Sequence, residues 1–199
     1  MGIRSTAKDF LSASMREAKI DLAGCRMLEL GNQILRQLGA HSGPAKSYFT
    51  GLGVYHTSVD INGQDGALCL DLQEPLNIGE FDVVTNFGTS EHVPAQFPTF
   101  KNMHEACRVE GLMIHVVPSI ANLEIRRPHG LWLYKPEFFL SLAKMCKYKI
   151  LSQEIRPRKR GSPILAQAFV AYIKSAHPFP ELQQFSKIGG IVEDARVPA

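Results

Sequence analysis

The sequence predicts an α/β protein in which a mostly parallel sheet carries helices on both faces and ends in an antiparallel edge hairpin. Two observations lead to this fold class. Strand-like and helix-like patterns alternate from "CRMLEL" (25–30) to "KPEFFLSLAKMCKY" (135–148). Two strand-like runs, "YKILSQEI" (148–155) and "AQAFVAYI" (166–173), then follow each other with no helical pattern between them.

The chain of 199 residues, 45% apolar and 21% charged, has the composition of one globular domain. We divide it into an N-terminal helix (1–23), a core (24–173) and an extended or partly mobile tail (174–199). No run approaches the roughly 20 apolar residues of a membrane span. The first 21 residues lack the apolar stretch of a secretory signal, so we expect a cytoplasmic protein without a membrane partner.

The four cysteines, Cys25, Cys69, Cys107 and Cys146, are widely spaced in apolar segments and never form C-x-x-C. This pattern predicts buried free thiols of a reducing compartment. The seven histidines form no cluster with metal-ligand spacing, so no metal site is expected. His104 and His115 lie on patterned segments and are expected to be structural.

The first quarter of the chain predicts two helices and one strand. An apolar stripe favours a helix over residues 5–20, with Thr6 and Asp9 as a capping box. "CRMLEL" reads as a strand that is buried on both faces. "NQILRQLGA" (32–40) is expected to form a short helix ending near Gly39, and residues 41–53 a loop or broken helix.

The rest of the core predicts strands in "VYHTSVDI" (54–61), "ALCLDL" (67–72), "FDVVTNF" (81–87) and "LMIHVVP" (112–118). The turn-forming residues "NGQDG" (62–66) separate the first two. Helical apolar stripes occur in "FPTFKNMHEACR" (97–108) and in the segment that begins at Pro136, a residue suited to the first helical position.

Five stretches in this order resemble the class I S-adenosylmethionine-dependent methyltransferases, and among them the small type 11 group. They are "LELG" (28–31), "SVDI" (58–61), "EFDVVTNFGTSEHV" (80–93), "MHEACRVEGLMIHVVPS" (103–119) and "WLYKPEFFLSLAKMCKYKI" (132–150). The resemblance covers residues 24–173 and implies a Rossmann-like, mostly parallel sheet of seven strands.

The resemblance also implies a site for S-adenosylmethionine beyond the carboxyl ends of the strands, where open α/β sheets bind ligands. Its implied cofactor residues are Glu29 at the amino acid end, Gly31 in the first loop, Asp60 at the ribose, Asp71 and Leu72 at the adenine, and Asn86, Phe87 and Gly88 at the methionine or substrate side. His92 is the candidate general base, because an unperturbed histidine titrates near neutral pH.

Each of these residues also has a simpler interpretation. Gly31 could serve only a turn, Asp60 could cap the "NGQDG" turn, and Asp71 could only end a strand. Glu91 and His92 could pair locally at the start of the next helix.

Two features depart from the family pattern. Gln33 stands where the first motif has its second glycine, and only "NGQDG" separates the second and third predicted strands, where a helix is usual. These departures favour an alternative function, that of a non-catalytic binding or scaffolding protein that keeps the methyltransferase fold.

A small-molecule methyl acceptor is the first expectation for a partner. A weaker alternative is a nucleic-acid-directed methyltransferase, because Arg156, Arg158, Lys159 and Arg160 form a basic patch on the predicted hairpin that phosphates would attract. A solvated turn would explain the same residues. The loop 119–132, with Arg126, Arg127 and His129, could cover the acceptor. A nicotinamide-dependent dehydrogenase is disfavoured, since the chain lacks G-x-G-x-x-G.

Overall fold

The computed structural model describes residues 2–36, 43–120, 130–157 and 166–194. Its helices are α1 (Ser5–Glu17), α2 (Ala45–Gly51), α3 (Gln96–Ala106), α4 (Pro136–Cys146) and α5 (Leu182–Phe185). Its strands are β1 (Gly2–Ile3), β2 (Arg26–Leu30), β3 (Ile34–Leu35), β4 (Gly43–Pro44), β5 (Tyr55–Val59), β6 (Phe81–Asn86), β7 (Cys107–Ser119), β8 (Trp132–Tyr134), β9 (Lys149–Pro157), β10 (Ala166–Ile173) and β11 (Ile191–Glu193).

The main sheet is parallel at its centre and antiparallel at one edge. Strands β5, β2, β6 and β7 lie side by side in parallel, β10 is antiparallel to β7, and β9 is antiparallel to β10. Short β8 pairs in parallel with the last residue of β7, where Ser119 is opposite Tyr134, and β11 pairs with β8 antiparallel. The described residues therefore form an eight-stranded main sheet, while β1, β3 and β4 form a small separate one.

Alternating side chains of the central strands pack into two apolar cores, one on each face of the sheet. Leu28, Val84 and Met113 face one side of the sheet, where α3 and α4 pack, and Met27 and Val83 face the other, where α1 and α2 pack. A strand that is buried on both faces is expected to be apolar throughout, as "RMLEL" is except at Arg26 and Glu29. The predicted α/β class with helices on both faces and an edge hairpin is confirmed, with eight strands instead of seven.

The sequence predicted a short helix over residues 32–40, and this prediction is wrong for the residues that the structure describes. Ile34 and Leu35 are extended because they pair with β1 on one side and β4 on the other. Gly39 lies outside the described residues. The prediction of a capping box at Thr6 and Asp9 is also wrong. Helix α1 begins at Ser5 with Arg4 as its N-cap, so Thr6 lies inside the helix, and no side chain caps the N-terminus of α1.

The third predicted strand, "ALCLDL", is reduced to one parallel bridge between Leu68 and Val59. The side chain of Asn102 on α3 replaces the missing ladder. Its Nδ2 donates to the carbonyls of Leu72 and Glu74 at 2.9 and 2.8 Å, and its Oδ1 accepts the N–H of Leu76 at 3.2 Å. The end of the segment is therefore held by side-chain hydrogen bonds and not by strand pairing.

The end of the described chain folds back on the core instead of extending from it. Phe185 on α5 and Ile188 are buried in the core on the α4 side, and β11 lies beside β8. This corrects the expectation of an extended tail for residues 182–193. Among the described residues, no helix has the length and apolar character needed to cross a membrane.

Three of the four cysteines are buried, and Cys69 is exposed, which corrects the expectation for that residue. Cys69 follows Leu68, the residue that forms the single bridge of the reduced third strand. Within the described part of the chain, His, Cys, Asp and Glu side chains form no group of three that could hold a metal ion.

Candidate functional site

A cleft of about 580 Å³ lies at the carboxyl ends of β2, β5 and β6. The parallel register brings the residues after these three strands to the same edge of the sheet, as expected for open α/β sheets. Six of the predicted site residues line it: Gly31, Asp60, Asp71, Leu72, Gly88 and His92.

Three predicted site residues lie behind the cleft wall. Glu29 and Asn86 are fully buried, and Phe87 packs in the core on the α1 side. Asn86 still shapes the site, because its Oδ1 accepts the N–H groups of Thr89 and Ser90 at 3.2 and 3.1 Å. That contact fixes the turn that carries His92.

Asp60 joins the two loops that form the cleft floor. Its Oδ2 accepts the backbone N–H of Asn32 at 2.9 Å, and its Oδ1 accepts that of Asn62 at 3.0 Å. The cap interpretation of Asp60 is therefore correct for the "NGQDG" turn. Each carboxylate oxygen has a second lone pair, so Asp60 can still accept hydrogen bonds from a ligand.

Gly31 lies at a crowded, left-handed turn. Its φ is +79°, and a Cβ there would lie 2.5 Å from Oγ1 of Thr89 and 2.7 Å from Nε2 of Gln33. The two side chains meet over the glycine, because Nε2 of Gln33 donates to Oγ1 of Thr89 at 3.1 Å. The side chain of Gln33 therefore occupies space that would be open if residue 33 were the second glycine of the first motif.

Two amide oxygens next to this turn have no donor. Oδ1 of Asn32 and Oε1 of Gln33 are enclosed, and among the described residues neither accepts a hydrogen bond. Both residues line the cleft. Asn32, Thr89 and the clamping Asn102 were not predicted from the sequence, although Asn32 and Thr89 flank the recognised "LELG" and "NFGTSEHV" segments.

Glu29 and His56 form a buried contact below the same turn. Oε2 of Glu29 lies 3.6 Å from Nε2 of His56 and accepts the N–H of Gln33 at 3.3 Å. Burial raises the pKa of Glu29 to about 8 and lowers the pKa of His56 to about 4. Both shifts favour the neutral form of each group, so burial works against an ion pair at this contact despite its distance.

His92 is the most accessible titratable group at the opposite wall. It ends a short 3-10 turn, Ser90–His92, and its side chain is 42% exposed. Its Nε2 lies 3.9 Å from Oε1 of the buried Glu91. The next residue, Val93, is held by Trp132, whose indole N–H donates to the Val93 carbonyl at 2.9 Å.

Asp71 and Leu72 form the remaining wall. Oδ1 of Asp71 accepts the N–H of Gln73 at 2.9 Å, which turns the chain after the reduced third strand. Leu72 is buried and offers an apolar surface beside Leu70.

Of the basic patch, only Arg156 lies within the described residues. Its guanidinium lies 4.4 Å from the ring centroid of Phe169 and its Nε 2.8 Å from Oε2 of Glu154. Arg158, Lys159 and Arg160 lie outside the described residues, as do Arg126, Arg127 and His129 of the 119–132 loop.

No protein-family model matches the chain, and no curated protein does. Solved structures do match. The 1,6-didemethyltoxoflavin-N1-methyltransferase of Burkholderia thailandensis is 17% identical with a TM-score of 0.53, over 85% of this chain and 83% of that one. The N-methyltransferase NodS of Bradyrhizobium japonicum is 11% identical with a TM-score of 0.54, over 84% of each chain.

Both of those proteins were crystallised with S-adenosylhomocysteine. A third match has a different activity. The [4+2]-cyclase SpnF is 12% identical with a TM-score of 0.61, over 85% of this chain and 82% of that one. The chain has the fold of the class I S-adenosylmethionine-dependent methyltransferases.

Proposed function

We propose that the protein is an S-adenosylmethionine-dependent methyltransferase that acts on a small molecule. The observation that carries this proposal is the position of Asp60, a carboxylate at the end of β5 that lines a cleft shared with the turn after β2. A carboxylate at that place can accept two hydrogen bonds from a ribose diol.

The residues of the cleft fit this cofactor in three respects. The volume of about 580 Å³ lies within the range of about 300–1,000 Å³ typical of small-molecule sites. The described lining includes the carboxylates of Asp60 and Asp71 and no lysine or arginine, which suits a ligand that carries a sulfonium and an ammonium. The unpaired oxygens of Asn32 and Gln33 need N–H donors, which an ammonium supplies.

When bound, S-adenosylmethionine supplies a methyl group that is already activated on a sulfonium. The protein therefore has to bind, align and exclude water rather than activate the donor. Asp60 would hold the ribose, while Asp71 and Leu72 would flank the adenine, the carboxylate with hydrogen bonds and the leucine with apolar contact. Gly88, which follows β6, would lie on the methionine or substrate side.

His92 is the group that would take a proton from the acceptor. It lines the cleft, and its exposed side chain leaves it accessible to a second ligand. A hydroxyl or protonated amine loses a proton when it is methylated, and an imidazole nitrogen can receive it.

A small acceptor fits the cleft better than a nucleic acid does. Arg156, the described member of the basic patch, stacks on Phe169 and pairs with Glu154. Its guanidinium is thus already engaged within the protein. The apolar Leu70, Leu72 and Val93 form much of the cleft wall.

The second candidate function is a non-catalytic binding protein. One observation favours it: the Gln33 and Thr89 side chains meet over Gly31, where a glycine-rich loop would leave room for the ligand. SpnF, a [4+2]-cyclase, has a similar fold.

Calorimetric titration of the protein with S-adenosylmethionine and with S-adenosylhomocysteine tests the proposal. We expect saturable one-to-one binding that is weakened in D60A and unchanged in D9A, a matched carboxylate deletion on the exposed face of α1. Label from methyl-tritiated S-adenosylmethionine should then enter the small-molecule fraction of a cell extract and should not do so with H92A. Binding without any transfer would favour the non-catalytic candidate, and absence of binding would refute the cofactor assignment.

A further inference from the structure

The turn after β2 contains two adjacent amide side chains, Asn32 and Gln33, whose environments share one feature. Each amide nitrogen has an acceptor, and each amide oxygen is enclosed without a donor among the described residues. Nε2 of Gln33 donates to Thr89, and Nδ2 of Asn32 donates to the carbonyl of Gln64 at 2.9 Å. The two amide oxygens are therefore the atoms that could bind another group.

The surrounding hydrogen bonds fix which end of the Gln33 amide is which. The hydroxyl of Thr89 lies 2.6 Å from the carbonyl of Leu30, to which it must donate its proton. It can therefore only accept from Gln33, so the nitrogen of Gln33 faces Thr89 and the oxygen faces away.

A buried amide oxygen without a donor is unfavourable, which means that the turn is better satisfied with a ligand than without one. The missing group must be a donor, because a carboxylate or phosphate would only repel these oxygens. Since no described lining residue is a lysine or arginine, a cationic donor meets no repulsion from such side chains. A protonated amine, with three N–H groups, meets these requirements.

We propose that the amide oxygens of Asn32 and Gln33 bind the protonated amino group of the ligand, in an inference that rests on the proposed function. Gln33, which replaces a glycine, is then the residue that selects ligands with an amino acid end. Its side chain is 4% exposed and lines the cleft beside that of Asn32, while its nitrogen stays bonded to Thr89.

Three probes separate this role from a purely structural one. S-adenosylhomocysteine has the complete amino acid end, its desamino analogue lacks only the amino group, and 5′-methylthioadenosine lacks the whole amino acid chain. Calorimetry with the wild type should give at least about tenfold weaker binding of the desamino analogue, the scale of a hydrogen bond to a charged group.

Gln33→Leu and Gln33→Met keep the bulk of the side chain without its amide. Both should weaken S-adenosylhomocysteine by about tenfold or more while changing 5′-methylthioadenosine less than about twofold. Gln33→Glu keeps an acceptor and should retain the preference for the amino group. Circular dichroism shows whether each variant is folded, and the flexible methionine serves if leucine does not pack.

Several outcomes would overturn the inference. An equal loss for all three probes in the Gln33 variants would mean that Gln33 only shapes the turn, and so would no loss at all. A wild type that binds the desamino analogue as well as S-adenosylhomocysteine would also refute it, with the nucleoside site intact. If the wild type bound none of the probes, the proposed function itself would fail.

Discussion

Asp60 and Asn32, which follow neighbouring parallel strands, are joined by a hydrogen bond of 2.9 Å from the Asn32 backbone N–H to Oδ2 of Asp60. The other oxygen of the same carboxylate holds the N–H of Asn62 at 3.0 Å. One side chain therefore fixes two loops of the cleft and also lines it. A change at Asp60 should affect both the stability of the fold and the affinity of the site.

The first prediction concerns D60A. Loss of two charge-assisted hydrogen bonds to backbone amides should lower the free energy of unfolding by about 1–2 kcal/mol. Affinity for S-adenosylhomocysteine should fall as well, by about 1–3 kcal/mol. Urea denaturation and calorimetry measure the two effects. D71A is the matched control for the stability measurement alone, because within the described residues the carboxylate of Asp71 bonds to Gln73, two residues away. A D60A variant with unchanged stability would contradict the role of the bonds to Asn32 and Asn62.

The second prediction compares G31A with G24A. Both glycines have a left-handed φ, +79° and +82°, but a Cβ at Gly24 would meet no atom within 4 Å. G24A should therefore cost only the backbone term of about 1–2 kcal/mol. G31A should cost at least about 1 kcal/mol more, because the methyl group would press on Thr89 and Gln33. It should also abolish binding of S-adenosylhomocysteine.

The comparison is made by urea denaturation of the two variants and the wild type. Equal losses of stability in G31A and G24A would mean that the contact over Gly31 gives way at no cost. In that case the turn is looser than the distances imply.

Elements whose partners are close in the chain were predictable from the sequence. The stripe of α4 with Pro136 at its first turn, and the edge hairpin of β9 and β10, are specified by local patterns alone. Ile34 and Leu35 were not, since their extended form depends on pairing with Gly2–Ile3, about 30 residues away. The prediction of a third strand, "ALCLDL", was wrong for the same reason. The end of that segment is held by Asn102, a partner far along the chain that no local pattern indicates.

The candidate site was predictable in position and less so in detail. Residues at strand ends, such as Asp60, meet because parallel register is implied by the alternation of strands and helices. The position of the Glu29 carboxyl behind the cleft wall was not foreseeable, since a strand that is buried on both faces does not show which of its side chains reaches the site. The contact between Gln33 and Thr89 joins segments 56 residues apart, so no local pattern signals it.

The third prediction uses thiol labelling to test the fold. Burial raises the pKa of Cys107 to about 12 and the pKa values of Cys25 and Cys146 to about 11, while Cys69 is exposed. A thiol reagent should therefore modify one cysteine quickly in the native protein and all four after unfolding. C69S should remove the fast phase. Rapid labelling of a second cysteine in the native protein would show that one of the buried thiols is more accessible than the structure indicates.

The fourth prediction concerns His115, which is buried among the rings of Phe100, Phe139 and Tyr172. Burial lowers its pKa to about 3 from the ordinary value of 6.5. Below pH 6.5 the unfolded chain binds a proton that the folded protein does not, so stability is lost as the pH falls. H115F removes this dependence and keeps an aromatic ring in the site.

Between pH 7.5 and pH 5 the stability of H115F relative to the wild type should therefore rise by about 2 kcal/mol. Urea denaturation at the two pH values measures the difference. A difference that does not change with pH would show that the pKa of His115 is the same in the folded and the unfolded protein, so that burial does not lower it.

The last prediction concerns Glu29, whose pKa has the opposite direction. Burial raises it from 4.5 to about 8, so the folded protein keeps a proton that the unfolded chain has lost between these values. The unfolded state then binds fewer protons, and stability falls as the pH rises through this window.

E29Q is neutral at every pH and retains an oxygen that can accept the N–H of Gln33. The wild type should lose stability relative to E29Q on the order of 3 kcal/mol between pH 5 and pH 8. His104 and His115 are common to both proteins, so their titration cancels in the comparison. If the two proteins respond equally to pH, Glu29 is ionised in the folded protein across this range, and the prediction that burial keeps it protonated is wrong.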